Sequence, residues 1–397
     1  MLKRISIDEL QQGMYVEAIA EQNGKRRISQ RGQISTPQQL QQIKLAGVRE
    51  LIIDLSKSER IDKQEETLSG PAMPVAEPVK NKPSFQQSAK QAKQLYEQAK
   101  TIQNQAFNAL LEGKQLPIDS MMSMSDSFVD QIFADQDAML CASMLRNKDE
   151  YLLEHSLNVA ILMTTFARYL KFPENEIRAL SIGAFLHDIG KIKVDDKILL
   201  KEGRLTDSEY QQIKQHVNYG VEAVAELTSL SQMSLDVIAM HHERVDGNGY
   251  PNRLADSEIS IAGKMASIVD CYDAITANRC YKEGQLSNRA FRILLKESGS
   301  HFDEELVQQF IKSLGVYPPG SIVELESGKL AIVLKSNKTL PLKPLVKVFY
   351  NLKAKHYIDP KQIDLMEKHC KEEVKSFVRP EDVNLSYEAI FDEFVAS

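Results

Sequence analysis

The chain of 397 residues is longer than one ordinary domain, and its 43% hydrophobic and 26% charged residues are typical of a folded, water-exposed protein. Its formal net charge of -6 argues against a surface that coats polymeric nucleic acid, and leaves room for a local basic phosphate pocket. No stretch approaches the roughly 18 to 20 apolar residues of a membrane span, and the N-terminus lacks an apolar run of signal-peptide length. We therefore expect a cytoplasmic protein, and four cysteines without a Cys-x-x-Cys pair agree with this.

Residues 1–56 are predicted to form a small α+β domain. The stretches GMYVEAIA and VRELIIDL have the composition of strands. Between them, STPQQLQQIKLAG predicts a helix that begins near Ser35 or Thr36 and stops at Gly47. This segment holds no catalytic constellation, so we expect a sensory or regulatory, docking or dimerising role.

Residues 57–83 are predicted to be a flexible linker, because prolines alternate with charges and large apolar residues are few. Residues 84–114 are predicted to contain a connecting helix. Its apolar positions are Phe85, Ala89, Ala92, Tyr96, Ala99, Ile102, Ala106 and Leu110. This narrow stripe is typical either of a coiled-coil seam in a homodimer or of a helix packed on its own catalytic domain.

The remaining chain divides into a helical and a β part. Amphipathic helical runs fill residues 115–318, so the predicted fold class is mainly α. Residues 319–397 are predicted to form a β appendage and a C-terminal helix, because the period changes to two from 320 to 364, where SIVELESG, LAIVLKSN and LVKVFYN predict short strands. The last twenty or so residues predict a helix.

Histidines and carboxylates in the helical segment predict a metal centre. The candidate ligands are His155, His187, Asp188, His216, His241, His242 and Asp270. Taken singly, a histidine on a helix is usually structural, but a His/Asp set without cysteine suits iron, manganese, zinc or nickel. Seven ligands exceed the four of a structural zinc site. Two metals that share one carboxylate lie about 3.5 to 4 Å apart, hold a hydroxide and clamp both oxygens of a phosphoryl displacement.

The motifs that carry these residues closely resemble those of one family. EHSLNVA, HDIGKI, KQHVNYG, HHERVDGNGYP and DCYDAITANRCYK follow one another in the order of the HD-GYP family, a subset of the HD phosphohydrolase superfamily. The family is named for its equivalents of His187-Asp188 and Gly249-Tyr250-Pro251. The resemblance covers about residues 140 to 315. The first 56 residues resemble an uncharacterised domain that often precedes this catalytic domain, and the strands after 319 resemble its β tail.

The resemblance implies a helical, metal-dependent phosphodiesterase of bacterial second-messenger signalling. Such an enzyme hydrolyses cyclic di-GMP to linear pGpG, or further to GMP, by attack of a metal-bridging hydroxide. It implies two divalent ions, iron or manganese. The first ion would be held by His155, His187, Asp188 and Asp270. Asp188, a catalytic residue, would bridge to the second ion, which would be held by His216, His241 and His242.

The resemblance also implies the groups that meet the substrate. Lys191 would touch the scissile phosphate and supply a proton to the leaving 3′-oxygen. Arg279 and Lys282 match a phosphate-binding basic pair, and Asp149 matches a carboxylate that faces the substrate. Tyr250 either stacks on a guanine or belongs to the core of its loop.

Two local features qualify this assignment. Family members with three metals carry a glutamate four residues before the first histidine, where this chain has Tyr151, so we expect two metals and pGpG as the main product. In the HHERVDGNGYP loop, we expect Glu243 and Arg244 to form an ion pair and Asp246 to contact a histidine ligand.

Other functions remain open at this level. Hydrolysis of cyclic GMP-AMP would use the same motifs. Signalling-protein partners are expected with either substrate. A cyclic-dinucleotide effector or scaffold with weak catalysis would be expected to lose ligands, and none is lost. The broader superfamily also acts on other nucleotides, which the GYP loop disfavours.

Overall fold

The computed structural model describes residues 2–7, 10, 14–22, 32–34, 43, 48–54, 57, 83–146, 150–278 and 283–397. The chain divides into two compact units, Met1–Val79 and Lys80–Ser397. The second unit is mainly helical, as the sequence predicts. Among the described residues, no helix combines the length and the apolar character needed to cross a membrane.

The first unit contains an antiparallel four-stranded sheet. Its strands are β1 (Leu2–Ser6), β2 (Tyr15–Gln22), β3 (Gly32–Gln33) and β4 (Val48–Asp54), in the order β1-β4-β2-β3. Buried Val16, Leu51 and Ile53 form part of its core. The two predicted strands are confirmed as β2 and β4. The helix predicted to begin at Ser35 or Thr36 and to stop at Gly47 lies outside the described residues, except for position 43, and so does the linker, except for its two end residues.

Eleven helices lie in the described part of the second unit. They are α1 (Phe85–Leu111), α2 (Ile118–Ala142), α3 (Tyr151–Tyr169), α4 (Glu174–Leu186), α5 (Asp196–Leu199), α6 (Asp207–Val224), α7 (Gln232–Met240), α8 (Ile261–Thr276), α9 (Ser287–Lys296), α10 (Glu304–Leu314) and α11 (Tyr387–Phe394). A 3₁₀ turn, Ile189–Lys193, connects α4 to α5.

Helix α1 packs on its own chain. It begins at a capping box in which the Ser84 side chain and Gln87 satisfy each other's backbone N–H groups. The stripe residues Ala89, Ala92, Tyr96, Ala99 and Ala106 are fully buried in the helical core, and the Tyr96 hydroxyl donates to Asn158 of α3. Of the two interpretations of this stripe, the structure therefore shows the packed helix.

The C-terminal part forms an antiparallel five-stranded sheet. Its strands are β5 (Ile322–Leu325), β6 (Lys329–Lys335), β7 (Leu345–Asn351), β8 (His356–Asp364) and β9 (Val374–Phe377), in the order β8-β7-β6-β5-β9. The three predicted strands and the final helix are confirmed. Strands β8 and β9 were not predicted, because β8 is largely exposed and carries Pro360, so it lacks the apolar alternation of a half-buried strand.

Candidate metal centre

The seven predicted ligands come together from five helices and the residues next to them. Each stands on an inner face or at the end of its helix: His155 on α3, His187-Asp188 after α4, His216 on α6, His241-His242 after α7 and Asp270 on α8. Helix α4 is apolar along its last two turns, which buries it and carries the His-Asp pair into the interior. All but His242, whose side chain is 25% exposed, are buried.

The first group of ligands surrounds one oxygen of Asp188. Its Oδ2 lies 3.4 Å from Nε2 of His155 and 3.3 Å from Nε2 of His187. Oδ1 of Asp270 lies 2.9 Å from the same His155 nitrogen. The side chains of His155, His187, Asp188 and Asp270 thus face a common point.

The second group surrounds the other oxygen of Asp188. Its Oδ1 lies 3.4 Å from Nε2 of His216 and 3.9 Å from Nε2 of His241, and these two nitrogens are 3.2 Å apart. His242 completes the group and places Nδ1 at 3.7 Å from Oδ2 of Asp270. Because each Asp188 oxygen faces a different group, this carboxylate has the geometry of a bridge between two cations.

Backbone carbonyls fix the orientation of three histidine rings. In each, Nδ1 donates to the carbonyl three residues earlier, and the Nε2 lone pair is left to face the centre. The pairs are His187 with Ala184 (2.7 Å), His216 with Ile213 (2.7 Å) and His241 with Ile238 (2.9 Å).

The electrostatic state of the rings suits metal binding. Burial lowers the pKa of His216 to about 4 and that of His242 to about 3, and it places the pKa of His241 well below its ordinary value. These three rings are therefore neutral near pH 7. A neutral imidazole offers a lone pair to a metal, whereas a protonated one does not.

The bridging carboxylate is charged in the same range. Burial alone would raise the pKa of Asp188, but electrostatic interactions with neighbouring His187 and Lys191 hold it well below its usual value. Nε2 of His187 and Oδ1 of Asp188 are fully buried and have no hydrogen-bond partner in the described structure. Buried polar atoms without partners are costly, and a cation between them would satisfy both. The donor set therefore fits divalent metal ions.

The sequence analysis missed the support of His155. Its Nδ1 lies 2.7 Å from Asp273, and Asp273 accepts a second bond of 2.7 Å from Arg146. Burial opposes a charge on His155, yet the carboxylates of Asp270 and Asp273 raise its pKa to about 9, so a metal ion at Nε2 would have to displace a proton from this ring. The available signal was that Asp273 follows Asp270 by three residues on α8 and so shares its helix face; Arg146 gave no signal.

The structure describes two of the five residues predicted to contact the substrate. The Lys191 ammonium donates to Oδ2 of Asp188 and lies at the edge of the centre, with a side chain 16% exposed. The ring of Tyr250 stacks on His242 at 4.6 Å between centroids. Asp149, Arg279 and Lys282 lie outside the described residues.

Two expectations about the GYP loop are wrong. Glu243 does not pair with Arg244; it is 1% exposed and accepts from the backbone N–H groups of Asn252 (2.8 Å) and Leu254 (3.1 Å). Arg244 pairs instead with Asp246, at 2.7 Å, so Asp246 serves this arginine and not a histidine ligand. The arginine's side chain is more exposed than Glu243, which explains why the buried carboxylate takes backbone donors.

Comparison with known proteins assigns three segments of the chain to families. Residues 139–306 match the HD domain family, residues 2–121 match a domain of unknown function (DUF3391), and residues 322–378 match a KOW domain associated with HD domain. A cyclic di-GMP phosphodiesterase of Pseudomonas aeruginosa is 33% identical over 92% of this chain and 89% of its own length. The chain belongs to the HD-GYP family.

Two further proteins are similar to smaller shares of the chain. A 3'3'-cGAMP-specific phosphodiesterase 2 of Vibrio cholerae is 35% identical over 40% of this chain and 30% of its own length. A solved HDG"Y"P protein of Bdellovibrio bacteriovorus aligns over 78% of this chain and 98% of its own, with 15% identity and a TM-score of 0.48.

Proposed function

We propose that this protein is a metal-dependent phosphodiesterase that hydrolyses cyclic di-GMP to linear pGpG in bacterial second-messenger signalling. The observation that carries the proposal is Asp188, whose two oxygens face two separate histidine groups within 3.9 Å. A bridged pair of cations is the arrangement that clamps the oxygens of a phosphoryl displacement.

Cyclic di-GMP is favoured over other cyclic dinucleotides by the extent of similarity. The relative named for cyclic di-GMP matches 92% of the chain, including both flanking segments. The relative named for 3'3'-cGAMP matches 40% of it. Cyclic GMP-AMP is therefore the second candidate substrate, with the same bond broken.

The metal content follows from the donor set. Histidine and carboxylate ligands suit iron or manganese, and we propose two such ions. His155, His187, Asp188 and Asp270 would hold one ion, and Asp188, His216, His241 and His242 would hold the other. Bound metal supplies an activated water and neutralises charge on the phosphate. Tyr151 in the place of a third-metal glutamate motivates the two-metal site and a main product of pGpG.

The reaction then needs a proton for the leaving group. Water attacks phosphorus, the P–O3′ bond breaks, and the 3′-oxygen takes a proton while the 5′-phosphate remains on the product. Lys191 lies against Asp188 at the edge of the centre, so we assign it to contact the scissile phosphate and to donate this proton. Arg279, Lys282 and Asp149 are proposed to bind and orient the substrate.

The proposed domain division keeps the boundaries of the sequence analysis. It comprises a regulatory domain at 1–56, a linker at 57–83, a connecting helix at 84–114, the catalytic domain at 115–318 and the β appendage with its helix at 319–397. A cytoplasmic location, a homodimer and signalling-protein partners stay predictions.

A product assay tests the proposed function. The protein is purified anaerobically, reloaded with iron(II) or manganese, and incubated with cyclic di-GMP, cyclic GMP-AMP and cyclic di-AMP before chromatography and mass spectrometry. We expect pGpG from cyclic di-GMP, none from Asp188→Ala, and unchanged yield from Asp236→Asn, a carboxylate on α7 that accepts from Gln232. A metal-loaded wild-type protein without turnover of any substrate would reject the enzyme in favour of an effector.

A further inference from the structure

A lysine and two tyrosine rings border the second histidine group and have no role in the reaction described above. Lys214 Nζ lies 4.6 Å from the ring centroid of Tyr210 and 5.3 Å from that of Tyr250. The two rings are 6.5 Å apart. Tyr210 and Lys214 are one turn apart on α6, the helix that also carries His216.

These side chains are continuous with the metal centre. The Tyr250 ring stacks on His242 with an interplanar angle of 29° and lies 6.4 Å from the His216 ring. His242 is the most exposed of the proposed ligands, so the centre opens beside this cluster. A nucleotide with its phosphate at the metal ligands would therefore meet Tyr250, Tyr210 and Lys214 with its base.

The cluster is available to a ligand. Tyr210 is 45% exposed, which is unusual for a large ring beside a buried site. Lys214 is partly exposed, and none of the ion pairs found in the described part of the chain involves it, whereas nearby Lys201 is paired with Glu209. Its ammonium therefore keeps N–H donors for a ligand, because the two tyrosine rings beside it do not accept all of them.

We propose that Lys214, Tyr210 and Tyr250 form the base subsite of the enzyme and give it a preference for guanine over adenine. Aromatic rings stack on any base, and a lysine donates to O6 and N7 of guanine. Adenine presents an amino donor where guanine presents O6, so the same ammonium opposes it. This inference rests on the proposed function and specifies which residues select the substrate.

The test compares Lys214→Met with the wild type on two substrates. Methionine keeps the apolar stem and removes the donors. We expect kcat/KM for cyclic di-GMP to fall about 10-fold or more, a value typical for one lost base contact. Turnover of bis(p-nitrophenyl) phosphate, which has no purine, and bound metal should stay unchanged. The matched control is Lys335→Met, whose ammonium lies 5.8 Å from the Phe85 ring on another part of the chain.

Binding of mononucleotides separates this inference from the proposed function. We expect the wild type to bind GMP more tightly than AMP, and Lys214→Met to lose that preference, in calorimetric titrations. An unchanged GMP preference in Lys214→Met, or an equal loss on bis(p-nitrophenyl) phosphate, would overturn the subsite. A wild type that selects GMP without hydrolysing any diester would retain the subsite and reject the proposed function.

Discussion

Nδ1 of His155 lies 2.7 Å from Oδ2 of Asp273, and Arg146 holds the other oxygen of that carboxylate at 2.7 Å. Asp273 is fully buried. The contact turns the imidazole so that its Nε2 faces Asp188 and Asp270. It is the arrangement by which a carboxylate behind a metal-binding histidine fixes the ring and makes it a better ligand.

Asp273→Asn should weaken metal binding without removing a ligand. The amide still accepts from Arg146, but it no longer carries the charge that orients and polarises His155. We expect about 10- to 100-fold lower affinity for manganese, measured in chelator-buffered titrations. Asp236→Asn, a carboxyl-to-amide change at the surface of α7, should leave the affinity unchanged. Equal affinity in Asp273→Asn and wild type would show that the carboxylate only fills space.

Glu243→Gln should destabilise the GYP loop. Both carboxylate oxygens accept backbone N–H groups, from Asn252 and Leu254, and a glutamine can accept with only one atom. One buried N–H then loses its partner, so the free energy of unfolding should fall by about 1 to 3 kcal/mol. Denaturant unfolding measures the change.

Glu258→Gln is the matched control for this loop. Glu258 accepts from Ala255 N–H at 2.7 Å in an exposed turn, where water can replace the lost bond. Its effect should be a few tenths of a kcal/mol. Equal losses in the two variants would contradict the special role of Glu243.

Gly190→Ala should disrupt the second histidine group. A Cβ at this position would lie 2.0 Å from the carbonyl oxygen of His216 and 2.4 Å from the amide nitrogen of Gly220. Helix α6 must move away, so we expect a loss of more than about 2 kcal/mol of stability and loss of metal from this group. Thermal unfolding and metal analysis measure both effects.

Gly220→Ala provides the comparison on the other side of the same contact. Its nearest neighbour would be Cγ2 of Ile238 at 3.4 Å, an atom of a side chain that can shift slightly. We expect little change in stability and full metal content. A Gly190→Ala protein as stable as Gly220→Ala would refute the close approach.

Asp137→Asn should stabilise the protein above pH 6. Burial, with the nearby charge of Asp135, raises the pKa of Asp137 to about 6. A carboxyl with a raised folded pKa favours folding at pH values below its unfolded pKa of about 3.8, and this contribution is lost as pH rises through about 6. Asparagine does not ionise, so the stability of the variant does not decrease in this way as the pH rises.

Unfolding of the Asp137→Asn variant should therefore be compared between pH 4 and pH 8. The difference from wild type should grow across this range by at most about 3 kcal/mol, the equivalent of a shift of two pKa units. A constant difference at all pH values would contradict the raised pKa of Asp137.

The sequence predicted the seven residues that come together at the candidate metal centre because their chemistry is local. His187-Asp188 and His241-His242 end helices whose apolar residues bury them, and the residue types alone indicate a cation. Likewise, alternation in the chain was enough for β5 to β7. What the sequence did not give were contacts that depend on packing: Asp273 and Arg146 are 127 positions apart.

Other misses have the same origin. Glu243 takes its backbone partners nine and eleven residues later, after the loop has turned back on itself. Its neighbour Arg244 looked like the natural partner because adjacent charges are visible in a sequence and a closed loop is not. Strand β8 lacked apolar alternation because most of its side chains are exposed.

The central claim, two cations bridged by Asp188, is tested most directly by manganese stoichiometry together with electron paramagnetic resonance of the full-length protein. We predict two manganese ions per chain and the spectrum of a magnetically coupled pair, and a single uncoupled ion in His242→Ala. One ion per chain in the wild type, or two ions without magnetic coupling, would contradict the bridge.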